Sequence, residues 1–177
     1  MPIEALILAA GTGSRFGRLT ERQPKALIEL NGEPLLFRMI RQCRAAGIRA
    51  VTIVVGHFAL TVVERVTDEF GPDGFTFIRN DDFETTNNIL SLAMGLDHLR
   101  QREIRPEVLV LECDVVLDDD VLGLVVADGC ANVAVVSPYV AGLDGTVVRL
   151  ADERVTEFIP TAKQDIDFDY SNTFKTV

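Results

Sequence analysis

The 177-residue chain reads as an α/β protein of three layers, α/β/α, with helices on both faces of a mostly parallel mixed sheet. Two observations predict this. Apolar runs at 3–9, 50–55 and 108–111 are continuous rather than alternating, as in strands buried on both faces. Segments with apolar residues at helical spacing lie between them, and strand–helix–strand units of that length close by right-handed crossovers into a parallel sheet.

Taken in order, Ile3–Ala9 is the first strand. Residues 34–46 form a helix: Pro34 suits a first turn, Leu35, Leu36, Met39, Ile40, Cys43 and Ala46 make an apolar stripe, and Gly47 closes the end. Ala50–Val55 is the second strand, 60–70 a helix ended by Gly71-Pro72, and 75–78 a short strand. Residues 87–99 form a helix with Ile89, Leu92, Ala93, Leu96 and Leu99 toward the core, and His98 follows that stripe. The central strand 108–111 runs into Glu112-Cys113-Asp114, and a short helix Val121–Ala127 follows, capped from Asp118 to Asp120. Strands at 131–137, 146–150 and 155–159 complete the reading.

Composition narrows the function. No apolar run reaches the roughly 18 residues of a membrane span, and the apolar start carries Glu4 and no basic flank, so it is a core strand and not a signal peptide. Cys43, Cys113 and Cys130 are odd in number, lack metal-like spacing and sit among apolar neighbours, which points to buried thiols in a cytoplasmic protein and argues against zinc. A net charge of −10 repels phosphate backbones, so nucleic acid and anionic membranes are poor partners. One local exception stands out: Arg15, Arg18, Arg22 and Lys25 crowd a short segment beside a glycine-rich turn.

That turn is Leu8-Ala9-Ala10-Gly11-Thr12-Gly13-Ser14-Arg15-Phe16-Gly17, where glycines let the backbone turn tightly and offer amides to an anion. It is not the dinucleotide fingerprint, because Gly17 comes one place late, and no acid follows the second strand, which ends in Gly56-His57. It is not a P-loop either, since Phe16 stands at the second glycine and no Lys-Ser/Thr pair follows. The longer string, from Leu8 to Arg15 and then Gln23-Pro24-Lys25-Ala26-Leu27, resembles the signature of the nucleotidyltransferase superfamily of sugar-nucleotide pyrophosphorylases and cytidylyltransferases. The resemblance covers essentially the whole chain and implies a Rossmann-like nucleotidyltransferase fold. It further implies that Leu8, Ala9, Ala10, Gly11, Thr12, Gly13 and Ser14 contact base and ribose, with Arg15 on the leaving pyrophosphate and Lys25 near the reacting phosphorus.

Asp114 follows an apolar strand, at the position where the resemblance places a Mg²⁺ aspartate, and carboxylate oxygen is the ligand Mg²⁺ prefers. Arg15, Lys25 and Asp114 are thus the expected catalytic residues, and Glu112 faces a neighbour or the acceptor. The segment from Asn80 to Leu92, with Asn87-Asn88 two residues before Ser91-Leu92, is similar to the phosphocholine and 2-aminoethylphosphonate cytidylyltransferase branch. Asn80, Thr86, Asn87 and Ser91 are the expected nucleotide contacts there, with Asn88 toward the acceptor; Thr86 or Asn87 also caps the helix.

Quaternary ammonium groups are held by aromatic faces. The chain has no Trp and only Tyr139 and Tyr170, which argues against choline and for a primary amine held by Asp81, Asp82 or Glu84, or for another phosphorylated alcohol; Phe83 is the nearest ring. Lys163 and Lys175 are further acceptor-phosphate candidates. The tail at Lys175-Thr176-Val177 resembles a point where the branch continues into another strand and a second metal aspartate, which implies one domain over 1–177, truncated at its C-terminus. The expected activity is CMP transfer from CTP to an amino-alcohol phosphate or phosphonate. A sugar-1-phosphate nucleotidyltransferase and a non-catalytic nucleotide-binding regulatory module are the alternatives.

Overall fold

The computed structural model describes residues 2–140, 145–164, 167–171 and 173–176. The chain forms two compact units, residues 1–126 and 127–177.

In the first unit, strands β1 (Ile3–Ala9), β4 (Ala50–Val55), β5 (Phe75–Arg79) and β6 (Glu107–Glu112) make a fully parallel sheet of order β5-β4-β1-β6. A small antiparallel pair, β2 (Glu29–Leu30) and β3 (Glu33–Pro34), precedes helix α1 (Leu35–Ala45). Helices α2 (Ala59–Phe70), α3 (Asn88–Arg100) and α4 (Val121–Ala127) follow in chain order.

Alternation along β1 divides the core in two. Ala5, Ile7 and Ala9 pack with Leu36, Met39 and Ile40 of α1 and Val62 and Val66 of α2, while Leu6, Leu8 and Ala10 pack with Leu92, Leu96 and Leu99 of α3. Helices therefore cover both faces of the sheet, which is the expected three-layer arrangement. A carboxylate is buried with them: Glu4, only 2% exposed, accepts from Thr52 Oγ1 at 2.6 Å and from both terminal nitrogens of Arg102.

Helix α3 keeps Leu92, Leu96 and Leu99 of its expected stripe on the core, but not Ile89 or Ala93. Its buried residues are Ser91, Gly95 and Leu99, whereas Ile89 is 71% exposed and His98 lies in solvent. The reason is close packing. A Cβ on Gly95 would lie 2.4 Å from Leu6 Cδ1, so the helix backbone approaches β1 through its glycine, and the larger apolar residues flank the contact.

Parallel pairing brings four strand ends level: Ala9 lies beside Val55, Val55 beside Arg79, and Leu8 beside Glu112. Gly11, Gly56, Asn80 and Asp114 thus emerge along one edge of the sheet, where parallel sheets place their ligands.

The second unit holds an antiparallel sheet of order β7-β10-β8-β9, from β7 (Val136–Pro138), β8 (Val147–Ala151), β9 (Arg154–Ile159) and β10 (Thr173–Thr176). The strand expected over 131–137 is thus confined to its end, and Cys130, expected to be buried, is exposed. Cys43 and Cys113 are buried as expected, with their thiols pushed up to about 12, chiefly by burial.

Candidate active site

A cleft of about 470 Å³ opens at the carboxyl edge of the parallel sheet, lined by Gly11, Thr12, Gly13, Ser14, Phe16, Lys25, Phe83, Glu84, Thr86 and Asp114. Asp114 follows strand β6, the Gly11–Ser14 loop arises from β1, and Phe83, Glu84 and Thr86 lie on the segment between β5 and α3, which passes over Gly56 and Ala10.

The loop is locked from below. Gly13 has φ +67°, and a Cβ there would lie 2.8 Å from Lys25 Cβ and 2.9 Å from Thr20 Cγ2, so only glycine fits. Thr20 Oγ1 donates to the carbonyls of Gly13 and Gly17, both at 3.1 Å. Lys25 opens the 3-10 turn Lys25–Leu27, and its side chain runs beneath Gly11, whose added Cβ would meet Lys25 Cε at 3.9 Å.

Lys25 Nζ donates to Asp114 Oδ2 at 3.0 Å, with 14% and 26% of the two side chains exposed. Burial pulls the Lys25 pKa down, but Cys113, the bonded Asp114 and Glu112 outweigh it and hold the ammonium above its ordinary 10.5. Because the Cys113 thiol is itself protonated at neutral pH, the carboxylates carry that effect there.

Each remaining expected residue has a definite place. Leu8, Ala9 and Ala10 are buried, and the carbonyls of Leu8 and Ala10 accept from the Cys113 and His57 amides, so they support the loop from within the sheet. Asn80 is 2% exposed; its Nδ2 donates to buried Ser91 Oγ at 3.1 Å and its Oδ1 accepts from the Asp82 amide. That pair shapes the 80–91 segment and does not line the cleft. Thr86 lines it, with its hydroxyl anchored on Asp82 O at 2.7 Å. Asn87 caps α3 by accepting from the Ile89 amide at 3.0 Å, and Asn88 Nδ2 donates to Glu112 Oε1 at 3.0 Å, joining the start of α3 to the end of β6.

Arg15 lies in the 3-10 segment Ser14–Thr20, and its side chain falls outside the described residues. Lys163 ends the turn Thr161–Lys163 and Lys175 lies on β10, both in the second unit. The lining residue Phe16 had no distinguishing pattern in the sequence. Of the three acids proposed for an amine, Asp81 is paired with Arg79 at 2.5 Å and only Glu84 lines the cleft.

Among the described residues, no group of three or more His, Cys, Asp and Glu is arranged to hold a metal alone, and no helix is long and apolar enough to cross a membrane. The donor set on the cleft floor is one partly exposed carboxylate, Asp114. That fits Mg²⁺, which takes one or two carboxylates and completes its shell with substrate phosphate and water.

The chain resembles proteins of known activity. It is 34% identical over 177 residues to CMP-5'-(3-aminopropyl)phosphonate synthase of Streptomyces rubellomurinus, covering 99% of this chain and 27% of that protein. It is 31% identical over 116 residues to 2-aminoethylphosphonate cytidylyltransferase of Lancefieldella rimae, covering 66% of this chain and 44% of that one. The chain thus spans under half the length of either relative. The fold matches the CTP:phosphocholine cytidylyltransferase structure from Streptococcus pneumoniae with a TM-score of 0.68 at 23% identity, over 90% of this chain and 65% of that one. The profile of the MobA-like NTP transferase domain matches residues 5–167, and the chain belongs to that family.

Proposed function

We propose that the protein is a cytidylyltransferase that transfers CMP from CTP to a phosphate or phosphonate bearing a primary amine, releasing pyrophosphate. The observation that carries the reading is the Lys25–Asp114 pair, set at 3.0 Å on the cleft floor beneath the glycine loop. It puts a cation and a hard anionic ligand together where a triphosphate would lie. Similarity to the aminopropyl- and aminoethylphosphonate enzymes supports CTP and an aminated acceptor.

In this reading an acceptor oxygen attacks the α-phosphorus of CTP in line. The new P–O bond forms as the α–β bridging bond breaks, and the electron pair leaves with pyrophosphate. Amides of the Gly11–Ser14 loop hold the nucleotide, and Lys25, protonated throughout the neutral range, meets the phosphoryl charge that grows in the transition state. Arg15 is assigned to the departing pyrophosphate. Asp114 would hold Mg²⁺ together with triphosphate oxygens; when bound, the ion neutralises triphosphate charge and polarises the phosphorus. Asn88 and Glu112 stand on the acceptor side, Glu84 offers its carboxylate to an amino group, and Lys163 and Lys175 remain acceptor-phosphate candidates.

The test is pyrophosphate release with Mg²⁺ and each of the four nucleoside triphosphates, against 2-aminoethylphosphonate, 3-aminopropylphosphonate, phosphocholine and several sugar 1-phosphates. Turnover with CTP and an aminophosphonate is the expected result. Turnover confined to sugar phosphates with another nucleotide would overturn it, and nucleotide binding without turnover on any acceptor would favour a regulatory module.

A further inference from the structure

We propose that Gln42 and Arg38 on α1 are positioning residues for Asp114, fixing its carboxylate relative to Lys25 from the far side of the loop that carries it. The proposal rests on the nucleotidyltransferase reading of the site.

The observation is a four-bond clamp. Asp114 lies on a turn whose upstream side is tied to the sheet by the Cys113 amide on Leu8 O at 3.3 Å. Its downstream side, residues 115–120, crosses to α4 outside any strand. There Gln42 Nε2 donates to Leu117 O and to Asp119 Oδ1, both at 3.0 Å. Arg38 Nη2 donates to the same two acceptors at 3.3 and 2.8 Å. Gln42 is 7% exposed and Leu117 8%, so the carboxamide meets this backbone in the core and not in solvent.

Two features separate this from ordinary loop packing. First, the partners stand four residues apart on one helix face, so both act on the same two oxygens and restrain the loop in direction as well as distance. Second, Arg38 Nε is buried with no hydrogen-bond partner among the described residues. An unsatisfied buried donor lowers stability, as for a side chain kept for what its other nitrogens hold.

The same helix also references Lys25. The amide of Leu35, first residue of α1, donates to Ile28 O at 3.0 Å just after the Lys25 turn, and Ala26 and Leu27 share a core with Leu36, Phe37 and Ile40. Lys25 and Asp114, 89 residues apart, are therefore both measured from α1. Loosening the clamp frees Asp114 while leaving the glycine loop and Lys25 in place. It should weaken metal–nucleotide binding without weakening metal-free nucleotide binding.

The experiment compares wild type with Gln42→Leu, Arg38→Met and Asp119→Ala, reading Mn²⁺·CTP affinity by electron paramagnetic resonance, CTP affinity in EDTA, and amide hydrogen exchange. Gln42→Leu is expected to lower Mn²⁺·CTP affinity roughly fivefold, one buried hydrogen bond's worth. CTP affinity in EDTA should not fall, exchange should rise within 113–120 alone, and saturating Mn²⁺ should restore full CTP occupancy. Asp119→Ala alters a side chain 83% exposed, so it keeps the test open if Gln42→Leu fails to fold. Wild-type Mn²⁺·CTP affinity in all folded variants, or exchange rising uniformly along the chain, overturns the proposal alone. Failure of the wild type to bind Mn²⁺·CTP overturns the functional reading, and the proposal falls with it.

Discussion

Gly13→Ala probes the joint between the loop and the phosphate-facing lysine. At φ +67° an alanine carries a left-handed strain of about 1–2 kcal/mol. Its Cβ would also sit at 2.8 and 2.9 Å from Lys25 Cβ and Thr20 Cγ2, contacts that something must move to relieve. Neither atom is the free end of a flexible side chain: Lys25 Cβ is fixed to its backbone and Thr20 is 6% exposed, held by two hydrogen bonds. Overpacking of this kind costs roughly 1–3 kcal/mol, so the total is about 3 kcal/mol. In a domain of this size that lowers Tm by roughly 6–12 °C. Part of the strain will relax by shifting Lys25, so nucleotide affinity should fall as well. Gly11→Ala is the control, because its Cβ meets Lys25 Cε at an ordinary 3.9 Å and Tm should move little. Thermal unfolding and calorimetric CTP titration of the two variants decide the matter. Equal Tm values, or Gly13→Ala binding CTP like wild type, would refute the reasoning.

Lys25→Met should lower CTP affinity in Mg²⁺ about 10- to 100-fold, the worth of a charge-assisted bond. Because the folded pKa is raised above 10.5, any stability from the Lys25–Asp114 pair is complete below that pH and is lost only as pH climbs through the folded value. The Tm gap between variant and wild type should thus stay constant from pH 6 to 9; a gap that closes within that window contradicts the assignment. With the Cys43 and Cys113 thiols raised to about 12 and buried, a native thiol titration at pH 8 should find only Cys130 reactive, and all three cysteines after unfolding. Glu4→Gln leaves Arg102 without its carboxylate inside the sheet and should destabilise by about 2–3 kcal/mol, read as a lower denaturant midpoint at unchanged m.

Continuous apolar runs made the parallel sheet legible, because a strand buried on both faces has no polar side to confuse its bounds. Ile3–Ala9 and Ala50–Val55 fall where the sequence places them. Helix α3 was legible in part: Leu92, Leu96 and Leu99 do face the core, but its closest contact is made by Gly95, and a glycine gives no hydrophobic signal. Asp119 was read as a helix cap but binds α1, a choice local sequence cannot make because both partners lie more than 70 residues away. Asn80 and Ser91 illustrate a similar limit. Polar residues near a site read as ligand contacts, yet these two satisfy each other in the core. Gly11, Lys25, Thr86 and Asp114, flagged through the motifs, do converge on the cleft, but Lys25 and Asp114 are juxtaposed only by the β1–β6 pairing.

That juxtaposition leads to a prediction whose sign depends on the metal. The chain carries a net −10, and on the cleft floor Lys25 is already bonded to Asp114, with Glu112 two residues away and Glu84 also lining the cleft. A bare triphosphate therefore meets no surplus positive charge from these groups and must compete with Asp114 for the ammonium. Asp114→Asn should free Lys25 and remove one repelling charge, so in EDTA the variant should bind CTP more tightly than wild type, by roughly fivefold or about 1 kcal/mol. With Mg²⁺ the order should reverse. The amide is a poorer ligand for a hard cation, and the variant should bind roughly tenfold or more weakly. Titrating CTP into both proteins with EDTA and then with Mg²⁺ tests the crossing. If Asp114→Asn changes affinity in the same direction under both conditions, Asp114 does not hold the metal, and its part in the site reduces to orienting Lys25.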